Sequence, residues 1–335
     1  MAAALAIGDR GRGRTAPNPN VGCVIVRDDR VIGRGWTQAG GRPHAEAMAL
    51  AQAGASAEGA TVYVTLEPCA HRSVRGPACS ELLVAAKPAR VIAALTDPDP
   101  RTSGEGFARL RAAGIEVTEG VLAAEARRSM AGFLTRKALG RPHVTLKLAM
   151  SLDGMIARAD GESRWITGDA ARAHGHLERG RHEAILVGRG TFDTDVPQLG
   201  VRLPGLEERS PRRILLSRSP QRRLGSMPAE ASDAAGGGEG GERQDWMTIA
   251  SPSEISNLEG VDHLMVEGGA LTASAFLAAD LVDRLLLYRA PILIGAGKPA
   301  LGDIGLASLA QAHDRWKRTD SRMLGMDRLE VYERA

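Results

Sequence analysis

The feature that most narrows the fold is a set of three spaced residues. They are His44 in His44-Ala45-Glu46, Cys69 ending Thr65-Leu66-Glu67-Pro68-Cys69, and Cys79 ending Pro77-Ala78-Cys79. One imidazole and two thiolates can hold a tetrahedral Zn²⁺ and leave its last position open for water. A catalytic zinc needs that opening, because bound water becomes a usable nucleophile near neutral pH. Glu46 follows His44 by two residues, so it can reach the water without being a ligand. His44 opens an alanine-rich helical run, Ala45 to Ala53, and Pro68-Cys69 follows the strand-like Thr61 to Leu66. Both ligand groups would then sit at element starts.

Taken singly these residues have plain explanations. A lone histidine is commonly packed or solvated, and cysteines are commonly buried thiols. Cys23, inside the apolar run Val21 to Val26, reads as such a core thiol. The three spaced residues together argue for metal, since His-x-Glu followed by Pro-Cys…Cys is the signature of zinc nucleobase deaminases. The usual second half is Pro-Cys-x-x-Cys, whereas nine residues lie between Cys69 and Cys79 here. With Asn18-Pro19-Asn20-Val21-Gly22 upstream, this long loop resembles the bifunctional riboflavin-biosynthesis deaminase–reductase family.

A length of 335 residues suggests two domains of ordinary size. The net charge of +3, with mixed signs throughout, suits a phosphate-bearing small molecule and does not call for nucleic acid. Three cysteines, two of them assigned to metal, make no disulfide framework. No apolar run approaches membrane-spanning length and no signal-peptide core stands at the N-terminus, so a cytoplasmic protein without membrane contact is expected.

Strands alternate with helices throughout. In the first half, helices are expected at Ala2–Gly8, from His44, at Glu81–Ala86, at Phe107–Ala113, and as one final helix from Ala123 to Leu139. Strands are expected at Val21–Val26, Val31–Trp36, Thr61–Leu66, Arg90–Leu95 and Ile115–Val117. This pattern means a three-layer α/β domain. Gly140-Arg141-Pro142 breaks the last helix, which gives domains of residues 1–140 and 141–335. The second half has candidate strands at His143–Met150, Ala184–Val187, Arg213–Leu216, Met247–Ala250, His263–Val266 and Arg284–Ala290. Its main helices are Asp169–Arg181 and Leu271–Ala279. The glycine-rich stretch Ala229 to Arg243 reads as a flexible surface loop.

Three patterns mark the second half: Lys147 to Gly154, Gly161 to Thr167, and Val266-Glu267-Gly268-Gly269 before a helix. Glycines between strand and helix let backbone N–H groups approach a phosphate. They are not the G-x-G-x-x-G fingerprint, so a Rossmann domain is not indicated. In this order the patterns look like the reductase domain of the same family, and the resemblance runs from about Leu5 to Tyr332.

The resemblance implies a cytidine-deaminase-like zinc domain followed by a dihydrofolate-reductase-like α/β domain that uses NADPH. It implies deamination of a diaminopyrimidinone carrying a ribosylamino 5′-phosphate, then reduction of the ribosyl side chain to ribityl. His44, Cys69 and Cys79 become zinc ligands and Glu46 the acid–base catalyst, with Asn18 and His71 facing the pyrimidine. Lys147, Ser163, Arg179, Leu199, Arg202 and Glu267 become substrate contacts of the reductase. Ala149, Trp165, Thr191 and Asp195 fall on the cofactor side. So does the run Gly269, Ala270, Leu271, Thr272, Ala273, Ser274 and Ala275. Asp153 and Lys147 are the two candidates to assist proton transfer. The family also implies a homo-oligomer, dimer or tetramer.

The chain departs from the family in three places. The Cys69–Cys79 loop is one residue longer than usual, with Arg75 as its candidate basic residue. Val196 follows Asp195 where a polar residue is often seen. Ser217-Arg218-Ser219 stands where Asp-Ser is common, and an inward Arg218 would favour NADPH over NADH. Two rival readings fit the residues less well. A deaminase of cytidine, guanine or tRNA adenosine fits the long loop poorly, and a nucleic-acid editor would want a basic groove. A regulator built on structural zinc would need a fourth protein ligand, for which only His71 offers itself, and would leave Glu46 without purpose.

Overall fold

The computed structural model describes residues 1–195, 197–219 and 246–335. Val196 and the glycine-rich stretch Ala229 to Arg243 lie outside the described residues. The chain divides into two compact units. The first comprises Met1–His143, Arg181–Glu183 and Leu258–His263; the second comprises Val144–Gly180, Ala184–Asn257 and Leu264–Ala335.

In the first unit the elements run α1 (Ala2–Gly8), β1 (Gly22–Arg27), β2 (Arg30–Trp36), α2 (Ala45–Ala53), β3 (Thr61–Val64), α3 (Cys79–Ala86), β4 (Arg90–Ala93), α4 (Glu105–Ala112), β5 (Glu116–Thr118), α5 (Ala123–Ser129) and α6 (Ala131–Leu139). The sheet order is β2-β1-β3-β4-β5. β1 pairs antiparallel with β2 and β3, while β3, β4 and β5 run parallel. Asp28 and Asp29 make the β1–β2 turn with left-handed φ of 49° and 57°.

Glycines set how closely the helices approach. A Cβ on Gly35 would lie 2.4 Å from the carbonyl oxygen of Ala45, and one on Gly33 would lie 2.3 Å from that of Ala49. Helix α2 therefore presses its backbone onto the strand face that carries Gly33, Gly35 and, by register, Cys23. Gly22 faces the other way, and its Cβ would meet the Ala4 carbonyl oxygen in α1 at 1.9 Å. Helices thus cover both faces, as a layered α/β domain requires. Cys23 is fully buried in this core, with Ile25, Val62, Val64, Leu83 and Phe107.

One sequence expectation fails here. The helix expected from Ala123 to Leu139 is two helices, broken at Met130 (φ −101°, ψ 20°). Ala126, Met130 and Phe133 stay in one core cluster across the break.

The second unit contains β6 (His143–Met150), β7 (Met155–Arg158), α7 (Asp169–Arg179), β8 (Ala184–Gly188), α8 (Arg189–Asp195), β9 (Arg212–Leu216), β10 (Met247–Ile249), β11 (His263–Glu267), α9 (Ala270–Ala278), β12 (Arg284–Arg289), β13 (Gly297–Pro299), β14 (Trp316–Leu324) and β15 (Asp327–Arg334). Its main sheet has the order β10-β9-β8-β11-β6-β12-β15-β14. β10, β9, β8 and β11 run parallel, and the β14–β15 hairpin adds antiparallel to β12. β7 and β13 form a separate two-stranded sheet. The hairpin and β13 have no sequence expectation behind them. β14 reads Trp-Lys-Arg-Thr-Asp-Ser-Arg-Met-Leu and is largely exposed, because it closes the sheet as an edge strand.

Candidate functional site

In the first unit three elements converge on one point. His44 is the N-cap of α2, Cys79 is the first residue of α3, and Cys69 lies on the connection after β3. His44 Nδ1 lies 3.3 Å from Cys79 Sγ and 3.6 Å from Cys69 Sγ. The three ligand atoms all fall within 4.8 Å of one another. A tetrahedral zinc with bonds of about 2.0–2.3 Å spaces its ligand atoms by about 3.5–3.8 Å, so the trio fits that ion.

The sulfurs compete for one proton. A hydrogen bond with Cys79 lowers the pKa of Cys69, while that bond and burial push Cys79 up. The backbone N–H of Cys79 also donates to Cys69 Sγ at 3.2 Å, placing the sulfur at the start of α3. Such a pair suits a divalent cation, which both sulfurs bind as thiolates.

Glu46 is 3% exposed, and its carboxyl bonds to the Cys79 side chain. Burial pushes its pKa up to about 7, partly offset by His44. Asn18 stands against His44, its amide 3.2 Å from Nε2, and it also donates to the Gly41 carbonyl at 2.7 Å. With Nδ1 on a metal the neutral ring would carry its hydrogen on Nε2, which the Asn18 amide nitrogen cannot accept, so Asn18 lines the site beside the ring and does not fix its metal-bound tautomer. His71 is half-buried and lies 3.3 Å from the Thr102 hydroxyl. It does not join the three-ligand cluster.

Sequence reading missed the support beneath this site. The buried Glu67 carboxylate accepts backbone N–H groups from Asp97 (3.1 Å), Gly104 (3.0 Å), Gly106 (2.9 Å) and Phe107 (3.3 Å). It thereby caps α4 and pins the Pro68-Cys69 connection. The available signal was an acid inside the apolar Thr-Leu-Glu-Pro-Cys. The Cys69–Cys79 loop makes a tight turn, with Ser73 and Gly76 exchanging backbone hydrogen bonds and Val74 fully exposed at the tip. Arg75 there donates to the Gly40 carbonyl at 2.8 Å.

The second unit gathers a charged cluster. Glu267, at the end of β11, accepts two hydrogen bonds from Arg179 of α7, from Nε at 2.7 Å and Nη2 at 2.9 Å. Lys147 Nζ on β6 lies 3.5 Å from the same carboxylate. Arg179 Nη1 donates to the Gly200 carbonyl at 3.2 Å, which draws in the segment carrying Leu199 and Arg202. Leu199 is buried with a left-handed φ of 53°, and Arg202 is exposed. Five of the expected substrate residues are thus on neighbouring segments.

The expected cofactor residues form a second group. Gly269 is the N-cap of α9, and its N–H donates to the Thr191 hydroxyl at 3.2 Å. A Cβ on Gly188 would lie 2.1 Å from Thr272 Oγ1, so only glycine lets the end of β8 meet the first turn of α9. The ends of the parallel strands β8 and β11 therefore open onto the starts of α8 and α9, the usual crevice of such sheets. Leu271 is open to solvent there and Ala270 is half-buried, whereas Thr272, Ala273 and Ser274 are buried and Ser274 accepts the Gly302 N–H. The N–H groups of the first turn fit a phosphate.

Ala149 lies on β6 opposite Tyr288. Ser163 and Trp165 share the connection before α7, where the Arg172 guanidinium sits 4.5 Å over the Trp165 ring. Arg218 is exposed, and Ser217 instead receives the Arg189 guanidinium at 3.1–3.2 Å. Asp153 accepts from the Ser151 hydroxyl and from the N–H groups of Ile294 and Gly295. These bonds hold its pKa down at about 2, so it carries no proton at neutral pH.

Comparison with known proteins gives the family of the chain. The family described as the cytidine and deoxycytidylate deaminase zinc-binding region matches residues 1–95, and the RibD C-terminal domain matches residues 142–230 and 249–327. The riboflavin biosynthesis protein RibD of Escherichia coli (strain K12) is 40% identical over 355 residues, covering 98% of this chain and 96% of that protein. The RibD of Aquifex aeolicus is 37% identical, covering 93% and 91%. Among solved structures, Acinetobacter baumannii RibD is 37% identical with a TM-score of 0.83, covering 100% of this chain and 98% of that one. A diaminohydroxyphosphoribosylaminopyrimidine deaminase/5-amino-6-(5-phosphoribosylamino)uracil reductase from Thermotoga maritima is 33% identical with a TM-score of 0.85, covering 100% and 97%. The chain belongs to the RibD family of riboflavin-biosynthesis deaminase–reductases.

Proposed function

We propose that residues 1–140 carry the deaminase and residues 141–335 the reductase, with the roles of individual residues as follows. His44, Cys69 and Cys79 hold Zn²⁺, and the observation that carries this is their convergence within 4.8 Å beside a buried Glu46. Zinc bound there supplies a Lewis acid and lowers the pKa of the attacking water. Glu46 takes a proton from that water on a carboxylate oxygen. It then delivers the proton to the exocyclic amino group as the ring C–N bond breaks and ammonia leaves. Asn18, beside the His44 ring, and His71, steadied by Thr102, face the pyrimidine.

In the reductase, NADPH supplies the hydride that converts the ribosyl side chain, in its open-chain imine form, to ribityl. The α9 N-terminus, Thr191 and Asp195 receive the cofactor, with Ala149 and Trp165 on the same side. Glu267 orients the sugar, and its carboxylate is itself oriented by Lys147 and Arg179. Lys147 is the proton donor consistent with the geometry, since Asp153 is ionised and committed to the Ile294-Gly295 turn. Leu199, Arg202 and Ser163 complete the substrate side. The substrate is a small phosphorylated pyrimidine, not nucleic acid, and the protein acts in the cytoplasm as a homo-oligomer. The mixed-sign surface and a net charge of only +3 support that reading, and no helix among the described residues is long and apolar enough to cross a membrane.

Mass spectrometry of the diaminopyrimidinone ribosylamino 5′-phosphate, incubated with the protein, tests both halves. Replacement of NH by O without NADPH, followed by gain of two hydrogens with it, is expected. Zinc chelation should abolish the first change and spare the second when deaminated substrate is supplied. Neither change in zinc-loaded protein would overturn the assignment.

A further inference from the structure

We propose that His176 is a positioning residue of the reductase, one that aims Arg202 at the phosphate of the substrate. The inference rests on the reading of Arg202 as a substrate contact. His176 and Arg179 stand three residues apart on α7, so they share a face. Both reach the Leu199–Arg202 segment. The Gly200 carbonyl accepts from Arg179 Nη1 at 3.2 Å and lies 3.1 Å from His176 Nδ1. His176 Nε2 lies 3.4 Å from Arg202 Nε, and the Arg202 backbone nitrogen lies 3.3 Å from Nδ1.

Nδ1 faces two claims that one tautomer cannot both meet: the Gly200 carbonyl needs it to donate, and the Arg202 backbone N–H is aimed at it as a donor. An arginine Nε always carries hydrogen, so the Arg202 side-chain contact is made by the tautomer with Nε2 bare and the N–H on Nδ1. That tautomer donates to Gly200 and leaves the Arg202 backbone N–H beside Nδ1 without a hydrogen bond to it. Burial lowers the His176 pKa, and the charges of Arg179 and Arg202 lower it further, which favours the neutral ring. With its Nε held this way, Arg202 keeps its two terminal nitrogens for a ligand. Arg179 cannot serve in the same way. Its Nε and Nη2 are committed to Glu267 and its Nη1 to Gly200. Arg202, exposed at the rim of the cluster, is the cation left to grip a phosphate monoester through two parallel N–H bonds.

Steady-state kinetics of the reductase on deaminated substrate separate the possibilities. His176→Ala should raise KM for the phosphorylated substrate about tenfold with kcat nearly unchanged, the size expected for one hydrogen bond to a charged group. Arg202→Ala should do the same, and the double variant should be no worse than Arg202→Ala alone. His176→Gln should recover most of the loss, because its carboxamide can accept from Arg202 and donate to Gly200. NADPH affinity should stay constant throughout. A normal KM in His176→Ala beside a raised KM in Arg202→Ala would overturn the positioning role and leave the reading of Arg202 intact. Multiplicative losses in the double variant would also overturn it. A normal KM in Arg202→Ala would instead remove the reading of Arg202 itself.

Discussion

Thr191 and Gly269 stand 78 residues apart in the chain, yet the Thr191 hydroxyl accepts the Gly269 N–H at 3.2 Å. The bond ties the first turn of α8 to the N-cap of α9, so the two helix starts at the ends of β8 and β11 move as one lip. Thr191→Val keeps the shape and removes the acceptor. A neutral hydrogen bond is worth about 0.5–1.5 kcal/mol, so NADPH should bind about 2- to 10-fold more weakly. Fluorescence titration checks this, with Thr191→Ser expected to bind as the native chain does. Equal affinity in the valine variant would show that the bond plays no part in holding the cofactor.

Glu46→Gln should separate metal binding from proton transfer. The three ligands stay in place, so the zinc content of the purified variant should match the native value. The deaminase kcat should fall about 10²- to 10⁴-fold, the usual contribution of a positioned acid–base group. Cys69→Ser, by contrast, should lose metal and activity together. If zinc disappears from the Glu46 variant as well, Glu46 holds the site together and its assignment as proton carrier fails.

The metal trio was legible from residue type and order, His-x-Glu and then Pro-Cys and Cys; in the fold His44 and Cys79 stand at helix starts and Cys69 on the connection after β3. The partner network was not legible. Nothing local announces that Glu67 will cap a helix that begins 38 residues later, and the bonds appear only when α4 docks on the Pro68-Cys69 connection. Charge type alone does not separate the cations. Lys147 and Arg179 are tied by burial to an ion cluster with Glu267, and Arg202 is not. The break at Met130 and the polar edge strand β14 were hidden for a similar reason, since both follow from tertiary position and not from local periodicity.

Glu267→Gln should show what that cluster does. Burial alone would raise the Glu267 carboxyl, but the charges of Lys147 and Arg179 and their hydrogen bonds hold it well below the usual carboxylate range. Replacing it leaves two cations facing a neutral amide, and a broken buried ion pair costs about 3–5 kcal/mol. Reductase turnover should collapse while the deaminase persists. A carboxylate with a depressed folded pKa stabilises above its unfolded value, near 4.5 for Glu267, and loses that contribution as pH falls toward the folded pKa. Urea unfolding should therefore show the native chain losing stability to acid more steeply than the variant below about pH 5. Parallel acid profiles would mean that the carboxylate is not held ionised by its neighbours.

Asp97 should show the opposite slope. Burial raises its carboxyl from 3.8 to about 6, helped by the nearby charges of Asp99 and Glu67 and opposed by the Asp99 N–H that it accepts at 2.9 Å. Between these values the folded protein keeps a proton that the unfolded chain has released. More protons are bound in the folded state, so stability falls as pH rises through this window. Asp97→Asn keeps an oxygen for the Asp99 N–H and removes the titration. Relative to the native chain, the variant should gain on the order of 1 kcal/mol as pH rises from about 4 to about 7, a figure reduced for the solvent that still reaches the group. Urea unfolding midpoints measured on both proteins at each pH give the difference directly. A gap that stays constant, or one that widens toward acid, would mean that the buried Asp97 carboxyl stays ionised in the fold.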